Sequence, residues 1–509
     1  AIGRNSLTNQ NFTTATDVFN TAVGFEAGKE VTTGTSNTLL GARSGDALTT
    51  GSLNVAVGLD ALTTDTAGNR SIAIGLNALQ TQNFSTSTSV YNTAVGYEAG
   101  KAVTTGVNNT LIGGLAGDSL TDADFNVALG SNALIADTLG SRSVAIGYAA
   151  LTSQNFTTAT DSNNVAVGML AGANVTTGTL NTLIGSLAGD ALTVGNSNTA
   201  LGQGALSSDT KGDTSVAIGI LALQDQNFTT STDVYNTAVG AFAGENVTTG
   251  VRNSIIGGLA GDALTVGGNN VTMGYASLSL DTKGSGSVAI GAGALNVQNF
   301  TTATTTHNTA VGLDAGKAVT TGTDNTLIGS LSGDAITDGN TNTAVGSFAL
   351  TTNQRGDRNT AIGHEALKTL NPSGDADTYN TAVGYQSGKA VTTGTVNTLI
   401  GSLSGDALTT GEENTAVGYQ SLGSATKSDN NVAIGNSALG ALNHTTQTDS
   451  YNTGVGYAAG AAVTTGIDNT IMGGLAGDAL TDADQNVAIG RSALTSDTLG
   501  SRSVAVGYQ

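Results

Sequence analysis

The chain of 509 residues contains no cysteine. Disulfides and thiolate metal sites are thereby excluded, and durability has to come from packing and backbone pairing. Basic residues are scarce: 17 Lys plus Arg stand against 38 Asp plus Glu, giving a net charge of −21. Nucleic-acid binding needs a basic stripe to displace counterions from phosphates, so no nucleic-acid partner is expected. No apolar run approaches the roughly 18 residues of a membrane helix, so no membrane span is expected in this region. The three histidines, His307, His364 and His444, fall at unrelated points of the pattern described next and make no recurring site. Nothing calls for a cofactor or a resident metal.

What is present is a period. A phrase close to Asn-Thr-Ala-Val-Gly recurs along the whole chain, its closing glycine at Gly24, Gly41, Gly58 and Gly75, then Gly96, Gly113, Gly130 and Gly147, and on to Gly507. The steps are 17, 17, 17 and 21 residues, a 72-residue cycle repeated seven times. Periods of about 20 to 50 residues mark chains built by stacking one supersecondary unit on the next. The array reads as one continuous repeat domain, 1–509, with super-repeats 4–75, 76–147, 148–219, 220–291, 292–363, 364–435 and 436–507. Both ends fall inside a repeat, so the sequence reads as cut from a longer array.

The columns of one cycle show what each position does. Asn92, Asn109 and Asn126 open the phrase, with Ser143 in the fourth unit; Gly96, Gly113, Gly130 and Gly147 close it; Ala99, Ala116, Ala133 and Ala150 follow three residues later. The residue before each glycine is always Val, Ile, Leu or Met, and the one before that is usually Ala, with Leu or Ile once per cycle. Such a segment reads as a short strand packed on both faces. The Ala-Gly or Ala-Leu step after the glycine reads as a second strand, and Thr-Thr-Gly as a turn. The predicted fold is an all-β parallel solenoid in which equivalent residues lie one above another. The Asn column would then form a ladder of stacked amides, or initiate turns, or both. With Ala on the face opposite the aliphatics, a thin coil suits close approach by a second copy, which predicts a homo-oligomer.

At Ser71-Ile-Ala-Ile-Gly75, Ser143-Val-Ala-Ile-Gly147 and Asn431-Val-Ala-Ile-Gly435 the phrase resembles the head repeat of trimeric autotransporter adhesins (YadA-like heads). Asn92-Thr-Ala-Val-Gly-Tyr-Glu-Ala-Gly100 also resembles repeats in long tail fibres of marine bacteriophages. The resemblance implies a left-handed parallel β-roll with three chains side by side. The period here is longer than that family's roughly 14 residues, so longer loops are expected.

The 21-residue step carries an insertion around Gln82-Asn83-Phe84, with Phe12, Phe156, Phe228 and Phe300 at equivalent places and Pro372 and His444 in the last two. These phenylalanines are either an exposed line contacting a cell-surface glycan or protein, or lids folded over the core beside Tyr91, Tyr235, Tyr379 or Tyr451. The lid is favoured because large aromatics are usually buried. Once per cycle an Asp recurs (Asp46, Asp118, Asp190, Asp262, Asp334, Asp406, Asp478), without the Gly/Asp alternation of a calcium roll. One coil earlier the same column holds Lys29, Lys101, Lys317 or Lys389, which predicts Lys101–Asp118 bridges between layers about 4.8 Å apart.

No catalytic, cofactor or metal residues are predicted. The favoured function is non-enzymatic: the shaft of an extracellular fibre, on a virion or bacterial surface, that projects a receptor-binding tip. Twenty-eight coils would span on the order of 130 Å. A bacteriophage tail fibre is preferred, a bacterial adhesin head is the alternative, and a fibre-borne polysaccharide depolymerase is the alternative from another class. The depolymerase would need a carboxylate pair across a groove.

Overall fold

The triplet before each closing glycine, such as Thr93–Val95, forms the strand. Left-handed backbone brackets it, at Tyr91 (φ 55) on one side and Gly96 (φ 148) on the other. A computed structural model describes residues 1–508. No described residue is helical. The chain divides into two units, Ala1–Arg252 and Asn253–Gln509, each a parallel β-solenoid.

In the first unit the strands run from Thr21–Val23 to Thr237–Val239, each laid on the one before. Thr93, Ala94 and Val95 sit opposite Thr110, Leu111 and Ile112, so the register is 17 residues. Across the insertion Ile72, Ala73 and Ile74 sit opposite Thr93, Ala94 and Val95, a register of 21 with no shift of face. The second unit follows the same rule from Ser254–Ile256 to Val504–Val506. The inserted residues add a ladder of their own once per cycle, as where Gly140–Ser141 pairs with Thr160–Asp161 and Gly356–Asp357 with Ala376–Asp377.

The expected second strand is absent. The Ala99-Gly100 and Ala133-Leu134 steps are turns, because Glu98 (φ 54), Gly100 (φ 58) and Leu134 (φ 54) are left-handed and cannot extend. The layers still bond there, Gly100 N–H donating to the Ala116 carbonyl at 2.9 Å and Gly117 N–H to Ala133 at 2.9 Å. Non-glycine residues in this conformation cost about 1–2 kcal/mol each, and the interlayer bonds hold them in it. The closing glycine has a second reason to lack a side chain. A β-carbon on Gly96 would lie 2.3 Å from the Gly113 carbonyl oxygen of the next layer.

The strand's central residue points into the coil. Ala94, Leu111, Ala128 and Ala145 are fully buried, as are Ala99, Ala116, Ala133 and Ala150. Volume is exchanged between columns. In the second coil of the cycle Leu111 fills the interior, its two methyls 2.6 Å and 2.8 Å from where β-carbons on Gly100 and Gly117 would stand. In the third and fourth coils the strand has Ala, and Leu134 and Leu151 occupy the glycine column. Ala is therefore the inner face, not the partner-facing one that the sequence suggested. The aliphatic column points outward because alternate strand residues face opposite sides.

Asparagine ties the layers together. Asn92 Oδ1 accepts the Asn109 backbone N–H at 2.8 Å, and Asn92 Nδ2 donates to the Gly106 carbonyl at 2.7 Å. Asn109 and Asn126 repeat this to Asn126 and Ser143 at 2.9 Å each. Side-chain amides also meet each other, as Asn109 Nδ2 donates to Asn92 Oδ1 at 3.3 Å, but the shorter bonds run from amide to backbone.

Candidate functional site

The inserted loops are built around a buried carboxylate. Asp137 accepts from Gly140 N–H at 3.0 Å, Phe156 N–H at 3.2 Å and Gln154 Nε2 at 2.6 Å. Gln154 Nε2 also donates to Ser143 Oγ at 2.8 Å, and its Oε1 accepts from Asn164 Nδ2 at 2.9 Å. Asp137, Gln154, Ser143 and Asn164 are all fully buried. Burial pushes the Asp137 carboxyl above its ordinary range, opposed first by the Gln154 amide and then by the backbone N–H donors. The same network recurs at Asp65 and Gln82, Asp209 and Gln226, and Asp281 and Gln298.

The phenylalanines lie over this network. Phe84, Phe156, Phe228 and Phe300 are at most 8% exposed, whereas Phe12 is half-buried. The lid therefore holds for the four internal copies, and the exposed aromatic line is not there. Their expected tyrosine neighbours point to solvent, Tyr91 and Tyr235 being more than half exposed. Phe156 packs on Gly140, where an added β-carbon would come within 2.8 Å of the ring, and Pro372 covers Gly356 in the same way. His444 takes the place of the phenylalanine opposite Ser428, which stands where the other cycles have glycine; Ser428 Oγ and His444 Nδ1 are 2.8 Å apart, and His444 Nε2 meets the Thr465 carbonyl at 3.1 Å. Ser428 is fully buried, so this hydroxyl–imidazole pair has no substrate access. The other two histidines stand apart: His307 pairs with Asp324 at 3.1 Å, and His364 stacks on Tyr385 with ring centres 5.6 Å apart.

The buried network was missed in the sequence, although a signal was present. In the last two cycles its members change together, to Asn353, Asn359, Leu370 and Pro372, and to Ala425, Asn431, Leu442 and His444.

The predicted interlayer bridges do not form. Lys101 turns back to Glu98 at 3.0 Å, Lys29 to Glu26 at 3.8 Å, and Lys317 to Asp314 at 3.4 Å, while Lys389 reaches Glu365 at 2.9 Å. The left-handed corner at Glu98 brings residues three apart within reach and wins over the layer spacing. Asp118 keeps a buried Oδ1 without a hydrogen bond, and burial raises its pKa against the opposing charge of Lys101. Asp46 and Asp478 instead accept hydroxyl bonds from Thr63 and Thr495 one layer on.

In each unit the outer face of the strands carries exposed apolar side chains. Its aliphatic column includes Val23, Ile74 and Leu129 in the first unit and Ile256, Met273 and Ile400 in the second, each 37–43% exposed. One residue beyond the closing glycine, Tyr97, Tyr148, Tyr275, Tyr385, Tyr419 and Tyr457 are exposed beside it. Apolar residues at this exposure, repeated layer after layer, are unusual for a surface facing only water. No group of three metal-ligating side chains occurs among the described residues, and no described helix is long and apolar enough to cross a membrane. No protein-family model matches the chain, and no curated protein matches it.

Proposed function

We propose that the chain is the shaft of an extracellular fibre, non-enzymatic, in which three copies lie side by side as a left-handed β-roll and carry a receptor-binding tip away from a virion or cell. The observation that carries this reading is the outward aliphatic column. It places an Ile, Val, Leu or Met on one face of every layer, and the chain has already filled its own interior with Ala and Leu. Sequestering that column between copies would remove apolar area from water at about 25 cal/mol per Å². The resemblance to trimeric autotransporter adhesin heads and phage long tail fibres supplies the copy number and the handedness. The style of the Asn-Thr-Ala-Val-Gly-Tyr-Glu-Ala-Gly phrase and the acidic, cysteine-free composition favour a bacteriophage fibre over a bacterial surface adhesin.

Sedimentation equilibrium tests the assembly. Three copies of the 50.0 kDa chain are expected, and a single-chain mass in native buffer refutes the reading. Lysine in place of Ile74 and Leu129 should release single chains that keep the β-sheet spectrum of the parent, since neither side chain is buried in its own coil.

A further inference from the structure

The surface of the second unit breaks its period at one place. Five residues after the closing glycine, most coils carry Lys, Asp, Thr, Ser or Gln. At Gly423, Gly440 and Ala461 three successive coils carry nothing beyond a β-carbon. The space left is a cleft of about 330 Å³ lined by Asp406, Gln420, Ser424, Ser437 and the two glycines. That volume falls at the lower end of small-molecule sites, roughly 300–1,000 Å³. None of these residues lies in a strand.

The backbone does not require either glycine. Neither has a positive φ, and the same position holds Thr63, Gln80 and Thr495 in other cycles. Two of the threonines show what a side chain here can do. Thr63 and Thr495 each give a hydroxyl to the Asp one layer before, Asp46 and Asp478. Asp406 is the equivalent Asp, and Gly423 offers it no side chain at all, where the remaining cycles have Ile135, Ser207, Ser279 and Thr351. Asp406 Oδ1 lies 3.6 Å from the place of a Gly423 β-carbon and faces the opening. Its carboxyl is pushed up by burial, opposed by its own backbone N–H and by the charge of Lys389.

We propose that this cleft binds a neutral saccharide residue, one hydroxyl of which donates to Asp406 Oδ1 as the Thr63 hydroxyl does to Asp46. Gln420, Ser424 and Ser437 supply an amide and two hydroxyls for neighbouring sugar oxygens, the mixed donors and acceptors that a polyol needs. An anionic ligand is disfavoured by Asp406 itself and by the net charge of −21. An apolar ligand would leave the carboxylate desolvated and unpaired. The site does not depend on the shaft reading: a single chain could hold the sugar and a trimer could fail to, so the sedimentation test and the binding test fail separately.

Saturation-transfer NMR on the full chain is the test, with methyl glycosides of glucose, galactose, mannose and N-acetylglucosamine, and their short oligomers, as probes. At least one probe should receive saturation. Its affinity should fall about tenfold or more in Gly423→Thr, which introduces the threonine that two other cycles have as Thr63 and Thr495 and places a hydroxyl beside Asp406 from within. Gln420→Ala, an exposed position on the cleft's lip, should weaken binding with the fold untouched and serves if Gly423→Thr does not fold. Absence of transfer to every probe, or wild-type affinity in both variants, overturns the proposal.

Discussion

Replacing Gln154 by leucine should open the first unit locally around the insertion. Gln154 is the side-chain donor to the fully buried Asp137 carboxylate and the acceptor for one Asn164 amide hydrogen. Asn164 keeps its second bond, to the Gly178 carbonyl at 2.7 Å, and Asp137 keeps its two backbone donors. Three buried polar groups each lose one partner. The Ser143 hydroxyl still pairs with Ser162, so the cost falls on Asp137 and Asn164. Leaving such a group unsatisfied costs about 1–3 kcal/mol, more for a charge. The expected loss is about 2–6 kcal/mol. Stacked repeats open in parts, so the readout is amide hydrogen exchange by mass spectrometry over residues 137–164. Exchange should accelerate from roughly 30-fold to beyond ten-thousand-fold, at a factor of ten per about 1.4 kcal/mol. The cycle at 353–380 shows the remedy, because Asn353 bonds Gly356 at both ends (2.8 and 2.9 Å) and needs no glutamine. Asp137→Asn, Ser143→Asn, Gln154→Leu and Phe156→Pro together should restore protection to within about tenfold of the parent. Unchanged exchange in the single variant, or a combined variant as open as the single one, refutes the reasoning.

Leu111→Ala empties an interior shared by two layers and should cost about 2–5 kcal/mol, read by denaturant titration of the same segment. Gly96→Ala should cost more than about 3 kcal/mol, because the new carbon meets the next layer's carbonyl and the backbone stays left-handed; wild-type melting would contradict this. Lys101→Ala should change stability by only about 0–1 kcal/mol, since the Glu98 partner is a surface pair. Burial raises the carboxyls of Asp118, Asp137, Asp190, Asp334 and Asp406 above the ordinary Asp range. Each such group stays protonated in the folded chain over a window in which the unfolded chain has already ionised, so its contribution is full below the ordinary Asp pKa and is lost as pH rises through the raised one. Glu365 works the other way: held at about 2 by Lys368, Lys389 and Gln386, it contributes above the ordinary Glu value and loses this only on the way down to about 2. Melting temperature should therefore rise from pH 7 to about pH 4.5; a fall over that interval would show that the raised carboxyls do not govern the pH dependence.

The parallel stacking, its 17- and 21-residue registers and the buried Phe84, Phe156, Phe228 and Phe300 could be read from the columns, because a repeat supplies its own comparison of positions. The direction of the strand could not. Ala94 and Val95 alternate, and alternation says that two faces differ, not which one is inside; Gly100 and Gly117, opposite Leu111, decided it. The second strand failed because Ala133-Leu134 carries no glycine to announce its left-handed backbone. The Lys101–Asp118 bridge failed because layer spacing was known and the corner at Glu98 was not. Gly423 and Gly440 were visible as letters, but only the hydroxyl bond from Thr63 to Asp46 gave their absence of side chain a meaning.

The insertion between Ile74 and Thr93 leaves the pairing of Ile72–Ile74 with Thr93–Val95 the same as between uninterrupted coils. A gene that gained or lost one 72-residue segment by recombination would thus join two surfaces that already fit. Reach could be adjusted in whole increments over generations, with no new contact to be evolved at the junction.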